Sequence, residues 1–184
     1  MRSLVLTGAT LLLIGLAGCS APAADTDAPT APSESASSEP DATGGGQCGG
    51  LTTDDLVSIF GVELQGPNPS TGDSDQNGVT WTSTGCDWEG DGELEIDLDI
   101  SEGSDFPDGT LTCIEPGGVG EVVAVTGIGN EAWWKFDDFN EVEGELRVCT
   151  DDRLVELAVD AETGSLSSDA LLEKAQDAVR IVVG

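Results

Sequence analysis

The chain has 184 residues, with six Lys or Arg against 36 Asp or Glu, no His, and a formal net charge of −30. This balance excludes nucleic acid and direct docking on anionic lipid, since both need a positive surface. It admits cations and basic partners, but plain solubility is the favoured reading. Without His there is no Ser-His or Cys-His nucleophile system, and no G-x-S-x-G, S-x-x-K, P-loop or H-E-x-x-H motif occurs.

Residues 1–18 read as an export signal. Arg2 precedes an apolar run over residues 4–16, which is too short for a bilayer span of roughly twenty residues. Leu16-Ala17-Gly18-Cys19 resembles the lipobox of bacterial lipoproteins, in which the Cys sulfur is acylated and the chain is cut just before it. An ordinary secretory signal with an incidental Cys is the competing reading. The register of apolar run, small residues and Cys favours lipidation at Cys19. Two or more acyl chains, at about 0.8 kcal/mol per buried methylene, make a stable anchor.

Residues 20–47 hold Pro22, Pro29, Pro32 and Pro40 among Ser, Ala, Thr, Asp, Glu and Gly, without Val, Leu, Ile or an aromatic. Such a segment cannot offset its ordering entropy by apolar burial, so a disordered linker is expected. As a flexible tether it spans roughly 30 Å. Residues 48–184 form one domain-sized unit. Once the signal is removed, five basic residues face 36 acidic ones, a net −31, and all five lie at Lys135 or later. Self-repulsion of this magnitude predicts that stability rises with moderate salt. A thermal melt that does not move across a salt series contradicts it.

Cys48, Cys86, Cys113 and Cys149 are an even set in an exported chain and predict two disulfides, for which three pairings are open. A zinc site has no CxxC pair and no His to use.

"LTTDDLVSIFG" predicts a short helix, with Thr52 or Thr53 as cap, Asp54 and Asp55 in the first turn and Gly61 as stop. Residues 65–77, with Gly66, Pro67, Pro69 and Gly72, read as a loop. Within it Asp73-x-Asp75-x-Asn77-Gly78 matches the start of a calcium loop, where oxygen ligands on alternate residues wrap the ion. Thr84 stands where the bidentate Glu belongs, and a solvated turn competes. In "GELEIDLDIS", Leu94, Ile96, Leu98 and Ile100 alternate with Glu93, Glu95, Asp97 and Asp99. This predicts an antiparallel strand with a core face and a carboxylate face, paired with residues 79–88 across a turn at 89–92.

Residues 121–126 and 132–136 predict two more strands. Gly127 and Gly129 between them suggest a dinucleotide fingerprint, but "WWKFDDFN" is no helix start, so they read as a turn. Trp133 and Trp134 are adjacent strand residues that must face opposite ways. One is expected outward or in a groove, as a platform for a sugar or lipid, against the alternative of packing under a helix or loop. "ELRVC" and "RLVELAV" predict a tight hairpin through residues 150–152. A helix over 168–182 closes the chain, with Leu171, Leu172, Ala175, Val179 and Val182 on its apolar side.

"CGGLTTDDLVSIFG", "GCDWEG", "VTGIGNEAWW" and "LRVCTDDRLVELAVD" occur in that order after a lipobox and linker. In this they resemble the actinobacterial lipoproteins grouped as domain of unknown function 3558, over most of residues 48–182. The resemblance implies a lipid-anchored envelope protein with no assigned activity. The family's early Cys and its Cys-x-Trp are matched by Cys48 and by Cys86 with Trp88. This is one reason to expect the pairing Cys48–Cys86 and Cys113–Cys149, each closing a loop of nearly forty residues. A more distant likeness, to disulfide-bonded sensor domains of mycobacterial kinases, implies ligand sensing by analogy.

The expectation is a single α+β domain over 48–184. It is an antiparallel sheet with a short N-terminal and a longer C-terminal helix packed on one face. It is tethered by Cys19 to the outer face of the cell membrane, and no cofactor is expected beyond the calcium candidate. Functionally it reads as a non-enzymatic module that holds a small or lipid-like ligand between sheet and helices. The alternatives are an adaptor that meets a basic envelope protein at an acidic face, and a carboxylate-based wall hydrolase.

Overall fold

The computed structural model describes residues 46–91, 94–138, 142–162 and 166–184. The export segment 1–18, Cys19, the linker up to residue 45, and Gly92 and Glu93 lie outside the described residues.

The first helix, α1, spans Thr53–Phe60. It begins at a capping box: the Asp55 amide donates to Thr52 Oγ1, and the Thr52 amide donates back to the Asp55 carboxylate at 3.1 Å. Gly61 ends it with φ 78°, the left-handed conformation that lets its amide reach Val57 O. Seven strands follow: β1 Leu64–Gln76, β2 Val79–Gly90, β3 Glu95–Glu102, β4 Glu121–Ala124, β5 Glu131–Asp137, β6 Val142–Cys149 and β7 Arg153–Ala161. The second helix, α2, spans Ser168–Val183, with the Ser167 hydroxyl accepting from the Ala170 amide as N-cap. The strands make one antiparallel sheet in the order β1-β2-β3-β7-β6-β5-β4. The class is therefore α+β, as the sequence predicts.

The loop expected over residues 65–77 is corrected to β1. Its prolines are compatible with a strand because β1 is an edge, where N–H groups pointing away from β2 have no ladder bond to lose. The register also slips between Gln65 and Asn68, around Pro67. Asn77 (φ 55°) and Gly78 (φ 80°) form the two-residue turn into β2, the positive-φ pair that matches strand twist.

Side chains divide by strand alternation. On one face Ile96, Leu98, Leu146, Val148, Leu157 and Val159 pack with Leu56 and Phe60 of α1 and with Leu171, Ala175, Val179 and Val182 of α2. This is the core. Gly144 is needed within it: a Cβ there would overlap the Trp134 ring and the Leu171 side chain. Cys48 bonds to Cys86 (Cα–Cα 5.4 Å) and Cys113 to Cys149 (5.9 Å), the expected pairing. Two such bonds fit an oxidising, extracytoplasmic setting. Among the described residues no helix is long and apolar enough to cross a membrane.

Candidate functional site

The sheet face turned away from the helices has two halves. Over one half lies the irregular segment 106–120, held by a small second core of Trp81, Phe106, Ile114, Cys149 and Leu154. The Trp81 and Phe106 rings stack at 5.9 Å, and the Arg147 guanidinium lies 5.8 Å from the Trp81 ring centre. Arg147, 5% exposed, donates to Ile114 O at 3.0 Å and Gln76 Oε1 at 2.9 Å, and pairs with Glu145 and Glu156. Gln76 passes the link on by donating to Glu115 O. Lys135 beside it pairs with Glu143 at 2.9 Å and Glu145 at 3.2 Å. Burial pulls Lys135 down, but the hydrogen bonds and charges of Glu143 and Glu145 outweigh it and hold the ammonium above its ordinary value. Burial pushes Glu156 up against the opposing charge of Arg147.

The other half is a field of carboxylates. Cross-strand neighbours here are like charges: Asp87 faces Asp97, Glu89 faces Glu95, and Glu95 faces Asp160. Such pairs repel. Asp97 is half-buried at the centre. Burial first, then Glu95, Asp87, Asp160 and Asp99, push its carboxyl up from 3.8 to about 6. A folded pKa above the unfolded one means that the folded state holds the proton more tightly. The penalty is therefore full above pH 6 and fades as pH falls towards 4. Asp97→Asn should raise stability at pH 7.5 by roughly 1–2 kcal/mol, allowing for solvent screening, and by almost nothing at pH 4. Urea melts of both proteins at the two pH values check this.

On the helix side, α2 leaves the β4 edge mostly exposed. The Trp134 indole N–H donates to Ser168 Oγ at 3.0 Å, joining β5 to the first turn of α2. Beside that contact runs a groove of about 570 Å³, with Val123, Trp134, Phe136 and Leu172 as apolar lining. The Trp134 and Phe136 rings stack at 6.3 Å. Glu121, Asp137, Asp138 and Asp169 also line the groove, with Gly120 and Ser168, and the lining contains no basic residue. Three large apolar side chains stand exposed among the described residues. One of them, Val123 (40%), lines the groove. A second cleft, of about 680 Å³, lies between the β1–β2 hairpin and residues 104–107, with Asp73, Asp75 and Asp105 around the edges of Trp81 and Phe106.

The sequence-level candidates fall as follows. Trp134, 2% exposed, forms part of the groove lining, while Trp133 is half-buried on the opposite face against the second core. Asp73 and Asp75 stand exposed on extended β1 and Asn77 in its turn, so the oxygens of the D-x-D-x-N-G stretch spread along a strand instead of wrapping round a loop. Among the described residues no three or more Cys, Asp or Glu converge on a metal position. Gly127 (φ 86°) and Gly129 (φ 58°) make the expected turn between β4 and β5. Glu95, Asp97 and Asp99 stand on the helix-free face as expected. The Arg147 network has no counterpart in the sequence reading. Its signal was the alternation of Arg147 with Cys149: a Cys tied to a distant segment implies a lid over that face, with the Arg beneath it.

Comparison with protein-family models, with curated proteins and with solved structures finds no match for this chain.

Proposed function

We propose that this protein is a lipid-anchored lipoprotein of the cell envelope, tethered through Cys19 and residues 20–47, whose folded domain is a non-enzymatic ligand-binding or sensing module. The observation that carries the reading is the groove between α2 and the β4–β5 edge. Val123, Trp134, Phe136 and Leu172 line a concavity beside α2 together with Glu121, Asp137, Asp138, Ser168 and Asp169, so apolar side chains and polar groups converge there as they do in small-molecule sites. Val123, 40% exposed, gives the groove an accessible apolar side chain. Export and acylation rest on the register of Leu16-Ala17-Gly18-Cys19 and agree with the two disulfides.

The mature chain, exported and oxidised in an actinobacterial host, should show extra mass in a native mass spectrum that disappears on denaturation. Equal masses, together with no ligand found by titration, would move the assignment to an adaptor. One observation favours that second reading: like charges face each other at Asp87–Asp97 and Glu95–Asp160, a costly arrangement on a surface that meets nothing. Salt-sensitive capture of basic envelope proteins would support it.

A further inference from the structure

We infer that the groove selects a cationic amphiphile: a molecule with an apolar chain or ring and an ammonium or guanidinium head. The inference rests on the groove being a ligand site, and adds the ligand's class. The apolar half follows from the lining by Val123, Trp134, Phe136 and Leu172, which offers no donor or acceptor to a polar body. The cationic half follows from charge. Glu121, Asp138 and Asp169 are exposed and line the same concavity, and none of its lining residues is Lys or Arg.

The helix terminus does not reverse this sign. Ser167 Oγ already accepts from the first turn of α2 at Ala170, and Asp169 adds a carboxylate there, so an anionic head would meet acid where it needs a donor. A fatty acid or anionic lipid would fit the apolar lining and be repelled at the rim.

The test is calorimetric titration, at low ionic strength, of the exported and oxidised chain from Ser20 onwards, which leaves out the acylated Cys19 and keeps the linker and the whole domain. The probes are decyltrimethylammonium and decanoate, which share a chain length and differ in charge, each kept below self-association. The ammonium should bind and the carboxylate should not. Glu121→Gln with Asp138→Asn should weaken ammonium binding by about five- to tenfold, the scale of two exposed charge contacts.

Val123→Lys places a cation in the groove and changes a net charge near −30 by only one unit. It should abolish ammonium binding and thereby separate the groove from general attraction to an acidic protein. Equal binding of both probes would overturn the cationic class and leave the groove standing. Ammonium binding unchanged by Val123→Lys would overturn the site. Binding of neither probe would overturn the groove as a ligand site.

Discussion

Replacing Cys113 and Cys149 together by alanine should lower the melting temperature by about 10–15 °C. The bond joins residues 36 apart, and closing a loop of that length corresponds to about 4 kcal/mol in the chain-entropy treatment. Loop length alone does not distinguish it from Cys48–Cys86, whose separation is 38. What distinguishes the two is the structure each holds. Cys113 sits in the irregular segment 106–120, whose other anchors are Phe106, Ile114 and the hydrogen bonds from Arg147 and Gln76. Without the bond this segment should open before the rest of the domain. Amide exchange in residues 106–120 should therefore rise strongly in the Cys113/Cys149 variant and stay near normal in Cys48→Ala with Cys86→Ala. Equal exchange in both variants would show that the bond does not secure the segment.

Arg147→Ala should cost about 3–5 kcal/mol, because removing one partner of a buried ion pair leaves the other charged and desolvated. Glu156, with its side chain 16% exposed, would lose the countercharge of Arg147, Glu145 (15%) would be left with Lys135, and Ile114 O would lose its donor. The loss should depend on pH in a stated direction. Burial already raises Glu156 in the folded protein, and Arg147 holds it down. Removing Arg147 raises it further, so the folded state comes to hold a proton that the unfolded state releases. The defect should therefore be largest near pH 8 and shrink as pH falls through the carboxylate range. Adding Glu156→Gln to Arg147→Ala should restore part of the loss at pH 8 and flatten the pH dependence. A defect of the same size at pH 5 and pH 8 would mean that lost packing against Trp81, not unpaired charge, is the cause.

These two substitutions probe the cover on one sheet face, while the groove lies on the other, so they separate stability from binding. A domain weakened at Arg147 should still bind the ammonium probe wherever it remains folded. Asp97→Asn should likewise leave the groove unchanged, since its neighbours Asp87, Asp99 and Glu95 belong to the helix-free face.

Local chemistry made much of the fold legible in the sequence. Thr52 with Asp55, and Gly61 eight residues past Thr53, mark α1 because orphan amides and carbonyls at helix ends need those partners. The strict alternation of Ile96, Leu98 and Ile100 with acids marks β3, because a strand shows its two faces in turn. Ser167 marks the start of α2 in the same way. The two disulfides could be expected from four cysteines in an exported chain, and they pair Cys48 with Cys86 and Cys113 with Cys149.

The edge strand β1 was hidden because Pro67, Pro69 and Gly72 count against a strand on local grounds, and only a position at the sheet's edge makes them harmless. Asn77-Gly78 carried the available signal, since that pair is the preferred two-residue hairpin turn. The union of β3 with β7 joins residues such as Ile96 and Val159, far apart along the chain, and no local pattern encodes which distant strands meet. That pairing is what sets Asp160 beside Glu95 and pushes Asp97 towards 6. The groove likewise exists only because α2 stops short of β4, leaving Val123 uncovered beside Trp134. The sequence by itself determined the helices, the amphipathic strands and the acidic surplus, all of which follow from neighbouring residues. Tertiary structure alone decided which carboxylates repel, which arginine is buried and where apolar side chains line a concavity, because each depends on distances between elements that the chain brings together last.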